Sequence, residues 1–403
     1  MFNDKINRLV ADIEDWMIEH RRNIHKYPEP SRKEYKTSSK VVSVLESLGL
    51  EVEKGYYTTG VVGIIRGKEG GRTLGLRFDM DALEMDELTN LPFASKNKGV
   101  MHACGHDGHT AIGLGVAKLL IQLRDEIKGN IKLIFQPAEE DAPNGGGAKY
   151  MIEDGVLKNP NVDAMVGLHL WPALKLGTVG TKVGPIMASS DPFTIEIIGK
   201  GAHASLPQEA VDPIVIGSQI VNNLQTIVSR NVDPFEQAVL TIGKFIGGTR
   251  YNTIPEKVTL EGTVRTYNEK IRKKVYTRIK EIVEKTAELM GGKATLNYNF
   301  GYPATINDEK MVELARKAIK DILGENNYVE IERPATGGED FAYFAKEVPS
   351  VYMWVGYGKE NEDVYPPHSP RFDFDEKALS IAVKVLVKLA LKWGKVKEND
   401  KCN

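Results

Sequence analysis

The spacing of apolar residues predicts that helices and strands alternate along the chain up to about residue 185. Residues 4–25 carry apolar side chains three and four positions apart, which is the period of an amphipathic helix. Apolar runs at residues 60–66, 73–80 and 162–170 are typical of strands buried on both faces of a parallel sheet. This alternation predicts a doubly wound α/β domain with a mostly parallel sheet.

The pattern changes near residue 187. Residues 193–198 alternate apolar and polar side chains, as a half-exposed antiparallel strand does. The elements that follow complete the order β-α-β-β-α-β, which is the order of a ferredoxin-like module. We therefore predict a discontinuous α/β domain of residues 1–186 and 298–403, interrupted by a ferredoxin-like α+β domain of residues 187–297.

Composition and charge narrow the class of protein. The chain has 403 residues, of which 41% are hydrophobic and 27% charged, as expected for a soluble protein of two domains. Its net charge of −2 gives no reason to expect a nucleic acid or a membrane surface as a partner. No apolar run approaches the length of a membrane span, and no signal peptide is evident. Because Cys104 and Cys402 are the only two cysteines, we expect a cytoplasmic protein without a disulfide framework.

Metal-binding residue types are concentrated in residues 101–110, which read MHACGHDGHT. The small and apolar residues that follow predict a helix, so these residues are expected on a loop that ends at a helix N-terminus. Backbone N–H groups at such an end favour a thiolate. On an extended loop, Cys104 and His106 can reach one ion together. The segment is therefore predicted to be a metal-binding loop.

Other residues that can bind metals lie near predicted strand ends or in proline-rich loops. Glu139 and Glu140 follow a strand at residues 130–136, His169 lies near the end of the next strand, and His368 lies between prolines. Cysteine and histidine donors suit zinc, and the two carboxylates complete the set. For each residue alone, a structural role is the better explanation. Their joint placement at the ends of parallel strands favours a metal site.

Several motifs together resemble the family of dinuclear-metal amidohydrolases and carboxypeptidases. That family includes hippurate hydrolases, N-acyl-amino-acid amidohydrolases, aminoacylases and plant auxin-conjugate hydrolases. The resemblance extends over nearly the whole chain, and the motifs CGHDGH and QPAEE are the most specific. The segments that carry the resemblance are residues 24–30, 79–83, 101–109, 136–140, 199–204, 337–341 and 367–369.

The resemblance implies two divalent metal ions per subunit. Zinc suits the ligands best, and manganese, cobalt or nickel can bind the same set. Glu139 would remain unbound and act as the general base that takes a proton from the attacking water. Asp81 and Asp107 are expected to orient histidine ligands. The implied ligands are Cys104 as the bridge, His106 and His169 at one ion, and Glu140 and His368 at the other.

The resemblance also implies that the inserted domain covers the cleft and that the protein forms a homodimer or a higher homo-oligomer through it. His203 would reach the site of a neighbouring subunit and stabilise the developing oxyanion. Asn252 and Arg265 would hold the free carboxylate of the substrate, a task that suits the planar guanidinium group. Without the resemblance, His203 would be an ordinary loop histidine and Arg265 an ordinary cation at a strand end.

The expected activity is hydrolysis of the amide bond of N-acyl-L-amino acids, such as N-acetyl or N-benzoyl derivatives. A dipeptidase, a carboxypeptidase or an N-acetyldiaminopimelate deacetylase would use the same residues on a related small substrate or short peptide. A thiol amidase with Cys104 as nucleophile is an alternative from another mechanistic class. A binding scaffold without turnover is a further alternative, against which the retention of Glu139 argues.

Overall fold

The structure, a computed structural model, describes residues 2–358 and 364–395, so Cys402 lies outside the described residues. The α-helices are α1 Phe2–Ala11, α2 Glu14–Lys26, α3 Tyr35–Ser47, α4 His106–Gln122, α5 Gly146–Glu153, α6 Pro213–Thr226, α7 Glu269–Leu289, α8 Glu309–Leu323, α9 Phe341–Glu347 and α10 Lys377–Trp393. The strands are β1 Glu51–Tyr56, β2 Gly60–Arg66, β3 Lys68–Asp79, β4 Lys128–Gln136, β5 Val162–Lys175, β6 Val179–Thr181, β7 Gly184–Met187, β8 Asp191–Ile198, β9 Ala202–His203, β10 Ala238–Gly247, β11 Thr253–Ile254, β12 Lys257–Thr266, β13 Lys293–Tyr298, β14 Thr305–Asn307, β15 Tyr328–Glu330 and β16 Ser350–Gly358.

The chain forms two compact units. The larger unit comprises Met1–Ile186, Ile306–Arg333 and Asp340–Asn403, as far as these segments are described. The smaller unit comprises Met187–Thr305 and Pro334–Glu339. Along the chain, both segments of the smaller unit are flanked by segments of the larger one.

The larger unit contains an eight-stranded sheet in the order β1-β2-β4-β3-β5-β16-β6-β15. Its four central strands, β4, β3, β5 and β16, run parallel to one another. The pairs β1–β2, β2–β4 and β16–β6 are antiparallel, and β15 is parallel to β6. The prediction of a mostly parallel sheet is therefore confirmed. Because parallel strands end at one edge of a sheet, the residues that follow β3 and β4 lie close together.

Helix α4, which begins at the predicted metal-binding loop, packs closely on this sheet. Almost all of its residues are buried. A Cβ atom at Gly113 would lie 2.7 Å from the rings of Phe78 and Phe135, on β3 and β4. The small residues of α4 thus allow the helix to approach the strands that carry the candidate site.

Two predicted elements differ from the observed ones. The single helix predicted over residues 4–25 is interrupted after Ala11, and α2 begins at Glu14. The apolar period continues through the break, since Val10, Ile13 and Met17 are all buried, so the pattern alone does not reveal it. Strand β5 extends five residues beyond the predicted end at residue 170. None of the described helices combines the length and the hydropathy needed to cross a membrane.

The smaller unit contains a four-stranded antiparallel sheet in the order β10-β12-β8-β13. Along the chain its elements follow as β8, α6, β10, β12, α7 and β13, with the short paired strands β9 and β11 between them. Alternate residues of β8 are buried, as the sequence pattern predicts for a sheet with one covered face. Apolar residues of α6 and α7 complete the core of this unit.

A buried ion pair connects α7 to β8 in the smaller unit. Arg272 donates two hydrogen bonds to the carboxylate of Asp191, of 2.8 and 2.5 Å, and Tyr298 donates a third of 3.0 Å. Replacing Arg272 with leucine would leave a buried carboxylate without its cation. We expect the free energy of unfolding to fall by about 3–5 kcal/mol.

Urea denaturation of the Arg272→Leu variant measures this loss. Lys273→Leu is the matched control, because Lys273 is the next residue of α7 and its side chain is 72% exposed. The control should change the free energy of unfolding by less than about 0.5 kcal/mol. Equal stabilities of the two variants would show that the buried pair contributes nothing.

Candidate metal centre

The predicted metal-binding loop turns into α4 through a glycine. Gly105 has a φ of +91° and immediately precedes the helix, which begins at His106. Few residues other than glycine adopt this backbone conformation. The turn brings the buried side chains of Cys104 and His106 to the same region of the larger unit.

The six residues predicted from strand ends and loops converge in space. Cys104, His106 and His169 each offer a ligand atom within 4.8 Å of the others. The same limit holds for Cys104, Glu140 and His368, and again for His106, Glu139 and Glu140. Cys104, His106 and Glu140 each belong to two of these groups, and Cys104 is the residue that joins the pair His106 and His169 to the pair Glu140 and His368, as expected of a bridging ligand. The arrangement contains donors for two neighbouring cations.

The histidines of the cluster present ring nitrogens that suit a cation. His169 donates from Nδ1 to the Leu170 carbonyl oxygen at 2.7 Å, so its Nε2 lone pair faces the Cys104 Sγ at 3.3 Å. His106 donates from Nδ1 to Asp81, at 3.0 Å to the carbonyl oxygen and 3.2 Å to the carboxylate. The contact with Asp81 fixes the tautomer of His106 in which the Nε2 lone pair is available to coordinate a cation.

Two buried atoms of the cluster make no hydrogen bond of regular geometry with the described residues. They are His106 Nε2 and Glu140 Oε1, and they lie 3.9 Å apart. His368 Nε2 lies 3.2 Å from the same Glu140 oxygen. Buried polar atoms rarely lack a partner, so each such atom calls for an explanation. Coordination of a divalent cation would satisfy both, and the residues present therefore fit a metal centre.

The electrostatics of the cluster also favour a cation. Burial raises the pKa of the Cys104 thiol well above its ordinary value, and the carboxylates of Glu140 and Glu139 raise it further. Burial acts to lower the pKa of His106, but Asp79 and Asp81 raise it to about 10. A bound cation reverses both tendencies, because it stabilises a thiolate and displaces a proton from imidazole.

Asp79 and His109 support the cluster and were not assigned roles from the sequence. His109 donates from Nδ1 to Asp79 at 2.6 Å and accepts at Nε2 from the Leu170 backbone at 3.0 Å. His109 thereby ties α4 to β3 and to the strand that carries His169. Arg77, Asp79 and Asp81 alternate with apolar residues around the end of β3, but this pattern does not distinguish Asp79 from Asp81.

Asp107 does not orient a ligand histidine, contrary to the expectation from the sequence. Its carboxylate accepts from Arg21 Nε at 2.8 Å and from His25 Nδ1 at 2.9 Å. Both partners lie on α2. Asp107 follows His106 on a helix, where successive side chains point in different directions, so it faces α2 and not the metal ligands.

The three predicted substrate residues lie in the smaller unit. His203, on β9, is exposed and accepts at Nδ1 from the Ser205 hydroxyl at 2.7 Å, which leaves Nε2–H as a donor. The side-chain oxygen of Asn252 is buried and has no partner among the described residues. Arg265 donates to the carbonyl oxygens of Thr336 and Val264, both at 3.2 Å, and burial lowers its pKa.

Comparison with known proteins is consistent with the architecture and the donor set. Residues 75–392 match the model of peptidase family M20/M25/M40. The chain belongs to this family. The resemblance inferred from the sequence motifs is thus confirmed, and membership identifies the protein as a hydrolase.

Relatives of known structure or curated name lie within this family. An N-acetyl-L-cysteine deacetylase of Bacillus subtilis is 43% identical over 92% of this chain and 86% of its own length. Thermostable carboxypeptidase 1 of Saccharolobus solfataricus is 42% identical over 97% of this chain and 98% of its own. The crystal structure of Bacillus subtilis YXEP, a dinuclear metal-binding peptidase of the M20 family, matches with a TM-score of 0.83 at 36% identity. That match covers 96% of this chain and 99% of the YXEP chain.

Proposed function

We propose that this protein is a metal-dependent amidohydrolase that cleaves N-acyl-L-amino acids into a carboxylic acid and a free amino acid. The observation that carries the proposal is the placement of Glu139 among the donor atoms of His106 and Glu140. A second carboxylate beside a complete ligand set can accept protons. A scaffold that only binds metal has no need of it.

The residues divide the work of amide hydrolysis. Two divalent cations, with zinc as first choice, would polarise the scissile carbonyl and lower the pKa of a bound water. They would be held by Cys104, His106 and His169 on one side, and by Cys104, Glu140 and His368 on the other. Glu139 accepts the proton of the attacking water. It then returns that proton to the leaving nitrogen, so that the products are the acid and the amine.

The residues of the smaller unit would recognise the rest of the substrate. We propose that Arg265 and Asn252 bind its free carboxylate, and that His203 Nε2–H stabilises the developing oxyanion in the site of a neighbouring subunit. The ferredoxin-like arrangement of residues 187–297 would provide the homodimer contact. Edge strand β10 supports this role, because its Phe245 and Ile246 side chains are 42% and 50% exposed.

A substrate panel tests the proposed function. Release of free amino acid is measured with N-acetyl and N-benzoyl amino acids and with dipeptides, before chelation, after chelation, and after addition of zinc, manganese or cobalt. We expect release that stops on chelation and returns with metal. Preference for dipeptides would favour the carboxypeptidase or dipeptidase alternative, which the Saccharolobus relative suggests. Release that is indifferent to complete metal removal would contradict the proposal and favour Cys104 as a nucleophile.

Recognition of the carboxylate by Arg265 gives a separate prediction. For Arg265→Ala we expect the KM for an N-acetyl amino acid to rise about 10- to 100-fold, since hydrogen bonds to a charged group are lost. The KM for the corresponding C-terminal amide should change little. Lys280→Ala, at an exposed position of α7, serves as the control. An equal rise in KM for both substrates would show that Arg265 does not bind the carboxylate of the substrate.

A further inference from the structure

Glu34 is a fully buried carboxylate at the start of α3. One of its oxygens accepts from the backbone N–H groups of Arg32 and Ala138, each at 2.9 Å. The other accepts from the Thr59 hydroxyl at 2.7 Å. The contact with Ala138 spans 104 positions of sequence and reaches the turn that carries Glu139.

The position of Glu34 at a helix start suggests a capping role, but the contacts exclude it. The side chain of Glu34 makes no capping hydrogen bond to α3. Glu29 fulfils that role instead, because its carboxylate accepts from the N–H groups of Lys36 and Thr37, both at 2.9 Å. The carboxylate of Glu34 is therefore directed away from its own helix.

Asp81 binds the two backbone N–H groups that follow the one bound by Glu34. Its two carboxylate oxygens accept from the backbone N–H groups of Glu139, at 3.1 Å, and Glu140, at 2.9 Å. Three successive N–H groups, from Ala138 to Glu140, are thus held by two buried carboxylates. Glu139, the proposed general base, and Glu140, a proposed metal ligand, therefore lie on a backbone segment whose three N–H groups are all hydrogen-bonded to buried carboxylates.

The backbone of this turn needs such support. Ala138 has a φ of +57°, a left-handed conformation that residues other than glycine seldom adopt. Arg32, which donates to the same Glu34 oxygen, has a φ of +67°. Such conformations persist where surrounding contacts enforce them. Gly147 also approaches the turn so closely that a Cβ atom there would lie 1.8 Å from the Pro137 oxygen.

We propose that Glu34 is a positioning residue for the general base. Its carboxylate holds the Ala138 N–H in the left-handed turn and so directs the Glu139 side chain towards the reacting water. The role rests on the proposed function of Glu139. Glu34 itself would contact neither substrate nor metal. The turn requires the length of its side chain and not its charge.

Two conservative variants separate the effect of side-chain length from the effect of charge. Glu34→Gln keeps the length of the side chain and an oxygen that can accept from Ala138, but it carries no charge. Glu34→Asp keeps the charge and is one methylene shorter. Burial and the nearby Asp81 carboxylate raise the pKa of Glu34 to about 7, so a neutral amide is a close substitute near neutral pH.

We expect Glu34→Asp to lower kcat about 10- to 100-fold, with KM and metal content within about twofold of wild type. Glu34→Gln should retain kcat within about threefold. Glu29→Gln is the matched control, because Glu29 supports the same loop without contacting the turn, and it should keep wild-type kcat. The reverse order, with Glu34→Asp active and Glu34→Gln impaired, would overturn the proposal. Loss of metal in Glu34→Asp would do the same.

Hydrogen exchange of the backbone amides at residues 138–140 provides a readout that does not depend on activity. These amides should exchange faster in Glu34→Asp than in wild type or Glu29→Gln. If Glu34→Asp does not fold, Thr59→Val takes its place, because it removes one donor to Glu34 at nearly constant volume. The amides of Thr59→Val should also exchange faster than those of wild type, but to a smaller extent. Unchanged exchange in the folded variants would overturn the proposal. Faster exchange in Glu34→Asp, combined with a wild-type protein that cleaves no amide, would leave the positioning role intact and indicate failure of the proposed function.

Discussion

Replacing Glu139 with alanine is expected to lower kcat about 100- to 10,000-fold while the metal content stays at the wild-type level. Glu139 is buried and lies among the donor atoms of His106 and Glu140. In the proposed mechanism it moves protons and binds no cation. Its removal should therefore affect the chemical step and spare the metal centre.

Steady-state kinetics and metal analysis of the same Glu139→Ala sample provide the measurement. KM should change little, because the substrate contacts remain. Glu153→Ala is the control, since Glu153 is an exposed carboxylate on α5, and it should behave as wild type. If the Glu139→Ala variant lost metal together with activity, Glu139 would have to be counted as a ligand.

Replacing Cys104 with alanine is expected to remove both metal and activity. The Cys104 sulfur belongs to two donor groups, one with His106 and His169 and one with Glu140 and His368. A bridging ligand contributes to both cations, so its loss should reduce binding at both positions. We expect less than one metal ion per chain and turnover reduced by at least about 1,000-fold.

Cys104→Asp is the informative companion, because a carboxylate can also bridge two cations. It should recover most of the metal and part of the turnover.

In a Cys402→Ser background, Cys104 is the only thiol of the chain, and bound metal should protect it from alkylation. Full activity of Cys104→Ala would rule out the bridging role. Full activity of Cys104→Ser together with no activity of Cys104→Asp would also contradict it.

The sequence predicted the sheet and the donor residues because both leave local signals. The apolar runs of β3, β4 and β5 are buried on both faces, which is typical of parallel strands. The run of β2 is equally buried but pairs antiparallel with β1 and β4, so burial alone does not give strand direction. Cys104 and His106 are close in sequence, and Glu139 and Glu140 follow the end of a strand. That His368 meets them could be expected only from the resemblance, because 228 positions separate it from Glu140.

Features that depend on side-chain direction or distant contacts were not predicted. Asp107 was expected beside a ligand histidine, yet its place on α4 directs it to Arg21 and His25. Glu34 appears in the sequence as an ordinary charged residue near a helix start. Its role depends on Ala138, and no periodicity or spacing connects two such distant positions.

The proposed function requires that the cluster around Cys104 binds two cations that are needed for hydrolysis of N-acyl amino acids. The most direct test is a metal titration of the chelated protein, with bound metal and release of amino acid from an N-acetyl amino acid measured on the same samples. We predict that release is absent without metal and rises until about two ions are bound per chain. Full release from protein shown to contain no metal would contradict the account.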